Sequence, residues 1–279
     1  AWPIRIDPHA SNDASTSIAS INVYDALVFS DSDGEPVGHV AEKWEVSKDG
    51  LIWTFHIRQG IKFHDGSELT ANDVKFSMDR LLAMGKGNAI VFANEEIQTE
   101  VLDKYTIVFH LNSPDGALLQ KLVFVYVLNE DLIRSNIKEP GLYGEMGDYG
   151  EAYLQMHDAG SGPYMVKEVV FESHVDMVIN PNYWLPFDPN APDEFKMIGT
   201  KETVTIRALL AQRELEIADE YQTNETYKSF EEIEGIKVIN YEQPYLVNIM
   251  LNTKKPPTDD IHFRKAMAWA MDYGAVVDH

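Results

Sequence analysis

A chain of 279 residues with 44% hydrophobic and 24% charged side chains is long enough for one large or two smaller domains around a real core. Its 45 acidic against 23 basic residues leave a formal charge of -22, a surface that repels phosphate backbones and anionic headgroups, so nucleic acid and membrane surfaces are not expected partners. Without cysteine there is no disulfide framework, thiolate nucleophile or cysteine zinc site, and no apolar run reaches the roughly 18 residues that a membrane helix needs.

Ala1 in place of a start methionine reads as the end of a processed or trimmed product, and Trp2 beside it is either a stacking residue or a frayed end. Turns are marked at Asp31-Ser32-Asp33-Gly34, Asp49-Gly50, Asp65-Gly66 and Pro140-Gly141. After Gly50, strict alternation predicts a strand with Leu51, Trp53, Phe55 and Ile57 on one face and Ile52, Thr54, His56 and Arg58 on the other. Thr70-Ala71-Asn72-Asp73 reads as a capping box, followed by a helical stripe of Val74, Met78, Leu81 and Leu82. Tyr105, Ile107, Phe109 and Leu111 alternate as a second strand, Leu122–Leu128 is an apolar run of strand character, and Val175–Ile179 alternates more briefly. Ile206, Leu209, Leu210 and Arg213 predict another helix. Pro256-Pro257-Thr258-Asp259-Asp260 supplies stop and cap chemistry for a last one, with the stripe Phe263, Ala266, Met267, Ala270 and Met271. Strands and helices mix without strict alternation, which argues for α/β or α+β architecture with more than one sheet.

Catalytic patterns are weak. Ala83–Asn88 lacks the glycine spacing of a phosphate loop, and Ser161 between Gly160 and Gly162 is followed by Pro163 where a nucleophile elbow needs a helix. Of nine histidines, none forms the i, i+4 helical pair of a zinc enzyme, and His64-Asp65 and His157-Asp158 place neighbours that point apart on a strand. Paired acids such as Glu95-Glu96 and Glu231-Glu232 are expected by chance in so acidic a chain, and Asp259-Asp260 is explained as a helix cap. No catalytic residue, metal ligand or cofactor is assigned.

Several segments, taken in order, resemble the family 5 extracellular solute-binding proteins of ABC importers for oligopeptides, nickel and oligosaccharides. They are Ile6-Asp7-Pro8-His9, Val40–Val46 with Asp49-Gly50 and Trp53–Arg58, and Gly60–Gly66 running through Leu69–Val74 to Phe76-Ser77. Gly160-Ser161-Gly162-Pro163-Tyr164, Asn180–Trp184 and Leu251–Pro257 with Arg264-Lys265-Ala266 complete the set. Each also reads as scaffold: His64-Asp65-Gly66 as a turn, and Gly160 and Gly162 as residues free to take positive φ around a sharp re-entry. The resemblance implies an α/β, periplasmic-binding-protein-like lobe (type II, cluster C) with an inserted accessory α+β domain. By analogy, residues 1–23 and 158–257 form lobe I, 24–157 the accessory domain, and 258–279 the start of a lobe II whose remainder is absent, as in a fragment.

The implied function is capture of a small solute, an oligopeptide or an oligosaccharide, by hinge closure, and delivery to a membrane permease. The implied protein is a monomer and not an enzyme, periplasmic or extracellular, with a lipoprotein tether left open. A sensor on the same fold, and less so an acidic glycosidase or peptidase, stand as alternatives; nickel is disfavoured without a histidine cluster. Carried over residue by residue, the ligand-binding candidates are Asn12, Asp13 and Ala14 in the loop after Asp-Pro-His, and Tyr245 and Asn248 on the hinge side. Asn12 offers a donor and an acceptor, and Asp13 an acceptor for an ammonium or hydroxyl. A solvated helix N-cap explains the same loop equally well.

Overall fold

The structure, a computed structural model, describes residues 5–200, 202–218, 222–240 and 249–274. The chain divides into two compact units, Ala1–Thr200 and Lys201–His279. The first unit opens with α1 (Ala14–Val23) and a short hairpin, β1 (Val28–Ser30) with β2 (Pro36–Gly38), turned at Gly34 with φ 83°. Next come β3 (Ala41–Val46), β4 (Ile52–Ile57), α2 (Ala71–Met84), β5 (Ile97–Asp103) and β6 (Thr106–Leu111). These strands form one antiparallel sheet in the order β3-β4-β6-β5. Two short helices, α3 (Leu118–Leu122) and α4 (Glu130–Arg134), lead to an antiparallel meander of β7 (Tyr164–Val170), β8 (His174–Ile179) and β9 (Glu194–Ile198).

The alternation along β4 and β6 becomes one wall of a core. Trp53 and Phe55 lie in register with Phe109 and Ile107, Ile57 with Ala41 of β3, and all are buried in one core with Val74, Met78 and Leu81 of α2. The capping box forms as expected: Thr70 receives the Asn72 amide at 3.3 Å and Asp73 receives the Thr70 amide at 2.9 Å. The helix ends at Gly85 in the left-handed conformation, which only glycine adopts without strain.

One stripe does not exhaust α2. Asp73, Phe76, Ser77 and Arg80, at i, i+3, i+4 and i+7, are also buried, on the adjoining face. Phe76 belongs to a second core with Ile6, Ala19, Val23, Tyr24, Val175 and Met177. Helix α2 is thus the shared wall of two cores, with a polar seam along it. Ser77 Oγ donates to the Asp73 carbonyl at 2.6 Å and receives the Leu128 amide at 2.8 Å, so the seam's polar atoms are paired.

Three expectations change. The apolar run 122–128 is not a strand: α3 ends at Leu122, and only Tyr126 bridges, to Ala26, within an extended buried segment. Gly160 and Gly162 do not take positive φ. They are glycines because the chain passes hard against Val23, where a Cβ on Gly160 would meet the Val23 carbonyl oxygen and one on Gly162 would sit 2.6 Å from its carbon. The third concerns the second unit.

That unit holds α5 (Thr203–Gln212), α6 (Asn224–Glu231) and α7 (Ile261–Ala270), with a small core of Ile206, Leu210 and Phe230. Arg213 does not extend the α5 stripe; it ends the helix with φ 60°. Helix α7 is capped by Asp260, which receives the His262 amide at 2.7 Å, but its stripe is not buried, and Phe263 and Met267 are each 41% exposed. Helical periodicity is local, whereas burial needs a facing element, and none among the described residues covers α7.

Candidate functional site

The loop that precedes α1 is held from both sides. Asp7 is buried, and Arg80 of α2 grips it with two hydrogen bonds, Nη1 to Oδ1 at 2.8 Å and Nη2 to Oδ2 at 2.6 Å. Arg80 Nε donates to the Tyr149 carbonyl at 2.9 Å. Burial alone would raise the Asp7 pKa, but the Arg80 charge and its hydrogen bonds outweigh it and hold the carboxyl below its usual range. His9 is fully buried, and burial followed by the Arg80 charge pushes its pKa down to about 3. The ring is therefore neutral, and Nε2 carries the proton it donates to the Tyr126 carbonyl at 3.0 Å.

On this support stand the three candidate loop residues. Asp13 caps α1: Oδ1 receives the Thr16 amide at 3.0 Å, and Oδ2 receives the Thr16 hydroxyl at 2.6 Å and the Ser11 hydroxyl at 2.7 Å. Partial burial would raise its pKa, but these donors lower it, so the cap carries a charge at the positive end of the helix. Ala14 begins the helix, half-buried, while Asn12 is exposed and its amide makes no hydrogen bond among the described residues. Asn12, Asp13 and Ala14 are consecutive and form the entry to α1, with the Asp13 cap as its fixed point. Tyr245 and Asn248 lie outside the described residues, as does Trp2.

Just past the other end of α1, one carboxylate ties four segments together. Asp25 is buried, and its Oδ1 receives His39 Nε2 at 2.7 Å and the Tyr183 hydroxyl at 3.0 Å. Its Oδ2 receives the Ser161 hydroxyl at 2.8 Å and Trp184 Nε1 at 3.1 Å. Arg58 lies over the Trp184 ring at 5.0 Å. Ser161 is therefore a buried donor to a carboxylate and is no nucleophile. His64, whose sequence neighbour Asp65 points elsewhere, meets the distant Asp158 at 2.6 Å through Nδ1 and the Gly162 carbonyl at 3.0 Å through Nε2. Burial would lower the His64 pKa, but the hydrogen bond and charge of Asp158 more than offset it and raise it, and both ring nitrogens face acceptors. His64 and Asp158 also line an open cavity of about 730 Å3 together with Phe63, Leu132, Tyr153 and Val169.

Sequence reasoning singled out neither Arg80, Asp25, His39 nor Asp158. Arg80 lies off the apolar stripe of its helix and the others lie in loops, and each has its partner 14 to 94 residues away. Elsewhere, one ligating atom from each of Glu168, His174 and Asp176 lies within 4.8 Å of the others, an arrangement that could hold a metal ion.

A two-core α/β unit whose buried acids and histidines serve as cross-links, and which presents a polar loop on a fixed support, has the make-up of a solute-binding scaffold. The family model described as Bacterial extracellular solute-binding proteins, family 5 Middle, matches residues 35–279, and the chain belongs to that family. Its members are solute-binding proteins, and the fold is the mixed α/β fold of these periplasmic binding proteins. The chain is 28% identical over 287 residues to a probable D,D-dipeptide-binding periplasmic protein of Escherichia coli strain K12, a match covering 100% of this chain and 53% of that one. Among solved structures it is similar to HbpA2 from Haemophilus parasuis, with a TM-score of 0.75 and 26% identity, covering 100% of this chain and 57% of that one. It also shares its fold with a dipeptide binding protein from Pseudoalteromonas sp. SM9913 in complex with Met-Leu, with a TM-score of 0.81, 22% identity, and 99% and 56% of the two chains covered. The chain spans about half the length of the curated relatives it matches.

Proposed function

We propose that this chain is the lobe I and accessory-domain part of an extracytoplasmic binding protein that captures a small solute, of the oligopeptide class, and hands it to the membrane permease of an ABC importer. The observation that carries this reading is the corner at Asn12–Ala14, which exposes the Asn12 amide beside a helix cap, on a loop anchored by Arg80. A preorganised group of this kind binds without first losing its own conformational freedom. Capture then proceeds by closure of a second lobe over the solute, which changes no bond in it, and the protein acts as a binder and not as an enzyme. The names of the relatives support the peptide class and a periplasmic location. No helix among the described residues is long and apolar enough to cross a membrane.

The domain plan that accompanies this reading assigns residues 1–23 and 158–257 to lobe I, 24–157 to the accessory domain and 258–279 to lobe II. The test is a thermal-shift screen of the full-length protein against peptide and oligosaccharide libraries. A ligand at 100 times its dissociation constant adds about 2.7 kcal/mol of stability if it binds only the folded state. A shift with peptides, weakened by Asn12→Ala, is the expected result. A shift with oligosaccharides alone would move the substrate class, and turnover of any of these compounds would overturn the binding role.

A further inference from the structure

We propose that Glu168, His174 and Asp176 form a surface site for a divalent transition-metal cation on the β7–β8 hairpin. The register builds it. Glu168 lies opposite Asp176 in the antiparallel pair, and His174, two residues before Asp176 on β8, shares its face. A register irregularity at Val166/Glu168 re-aims the Glu168 side chain, and one ligand atom from each of the three residues lies within 4.8 Å of the others.

Two further observations point to a cation. His174 Nδ1 is 2.9 Å from Ser173 Oγ, a partner that fixes the ring and turns Nε2 toward Asp176 Oδ2, which it meets at 3.8 Å, too far for a hydrogen bond. Asp176 Oδ1 is shut off from water and forms an ion pair with Lys196 Nζ at 3.1 Å, so this shielded carboxylate oxygen already takes a cation as its partner. Lys196 is the direct cross-strand neighbour of Asp176 on β9, and its ammonium competes with a metal ion for the Asp176 carboxylate.

Ligand atoms around a tetrahedral zinc ion at roughly 2.0–2.2 Å are about 3.3–3.6 Å apart. Glu168, the exposed and flexible member, can close that gap by rotation while the two β8 residues stay on a rigid strand. Two carboxylates and one imidazole favour a borderline cation such as zinc over magnesium or calcium, which seek a shell of oxygens. The chain's charge of -22 adds to the local concentration of any cation.

The test is calorimetric titration of the whole chain with zinc chloride at neutral pH, alongside variants and a magnesium control. Zinc is expected to bind at one site with micromolar affinity and to shift the His174 imidazole resonances. His174→Ala should weaken binding by at least about tenfold, and Lys196→Met, which removes the competing ammonium, should tighten it. Circular dichroism establishes that each variant is folded. The proposal is overturned if neither the wild type nor Lys196→Met binds zinc, if His174→Ala or His174→Gln binds as well as the wild type, or if magnesium competes equally.

Discussion

The Asp7–Arg80 pair is a case in which burial decides the size of an effect. A surface ion pair contributes about 0–1 kcal/mol, whereas removing one partner of a buried pair strands the other charge and costs about 3–5 kcal/mol. Arg80→Met should therefore lower the stability read from urea unfolding by that amount, and adding Asp7→Asn should restore part of the loss. His9 gives a pH dependence of definite sign. Its pKa is about 3 in the folded chain against an ordinary value of 6.5 once unfolded, so between those limits the unfolded state binds the extra proton. Stability then falls as pH drops, by about 2–3 kcal/mol between pH 6.5 and pH 4.5 from this one group. His9→Gln, which keeps a donor for Tyr126, should flatten that part of the acid limb in unfolding curves measured at the two pH values.

Helix α2 serves as a common wall between two cores, and its ends are set locally by the Thr70–Asp73 box and Gly85. Thr70→Ala should cost about 1 kcal/mol in thermal unfolding. The 160–162 segment behaves differently, because its glycines answer to another element. A methyl on Gly160 must displace the Val23 carbonyl at the end of α1. Gly160→Ala should cost about 1–3 kcal/mol or more as overpacking. Gly116→Ala is the control, since a Cβ there meets nothing within 4 Å, and it should stay within about 0.5 kcal/mol of the parent in the same melts. The bulged β7–β8 pair shows a third kind of control, in which cross-strand register alone collects Glu168, His174 and Asp176.

Over the whole molecule, a net charge of -22 opposes compaction by self-repulsion. Raising sodium chloride from 10 to about 150 mM shortens the Debye length from roughly 30 to 8 Å, and the melting temperature should rise over that range. A flat salt response would mean that the acidic side chains are already neutralised by neighbours such as Lys75 for Asp79 and Lys104 for Glu68. The same charge distribution leaves family membership untouched, because it is carried by turns, caps and core positions. On the proposed reading the solute's identity depends on groups presented in a cleft, and Asn12 is the candidate that is exposed and whose amide makes no hydrogen bond among the described residues.

The local rules in the sequence determined the β4 and β6 faces, the α2 cap and first stripe, the Asp260 cap and the family, because propensity, periodicity and turn chemistry act within a few residues. Asp13 as a cap was legible for the same reason, as one of two readings of its loop. The second stripe of α2 was not legible, since Asp73, Ser77 and Arg80 look solvated until Asp7, Leu128 and Tyr149 arrive from elsewhere in the chain. Nor was the reason for Gly160 and Gly162, which is the approach of Val23 and not a turn. Only the tertiary structure decided those points, because pairing a buried charge and excluding a Cβ are set by distances between segments that no local pattern records.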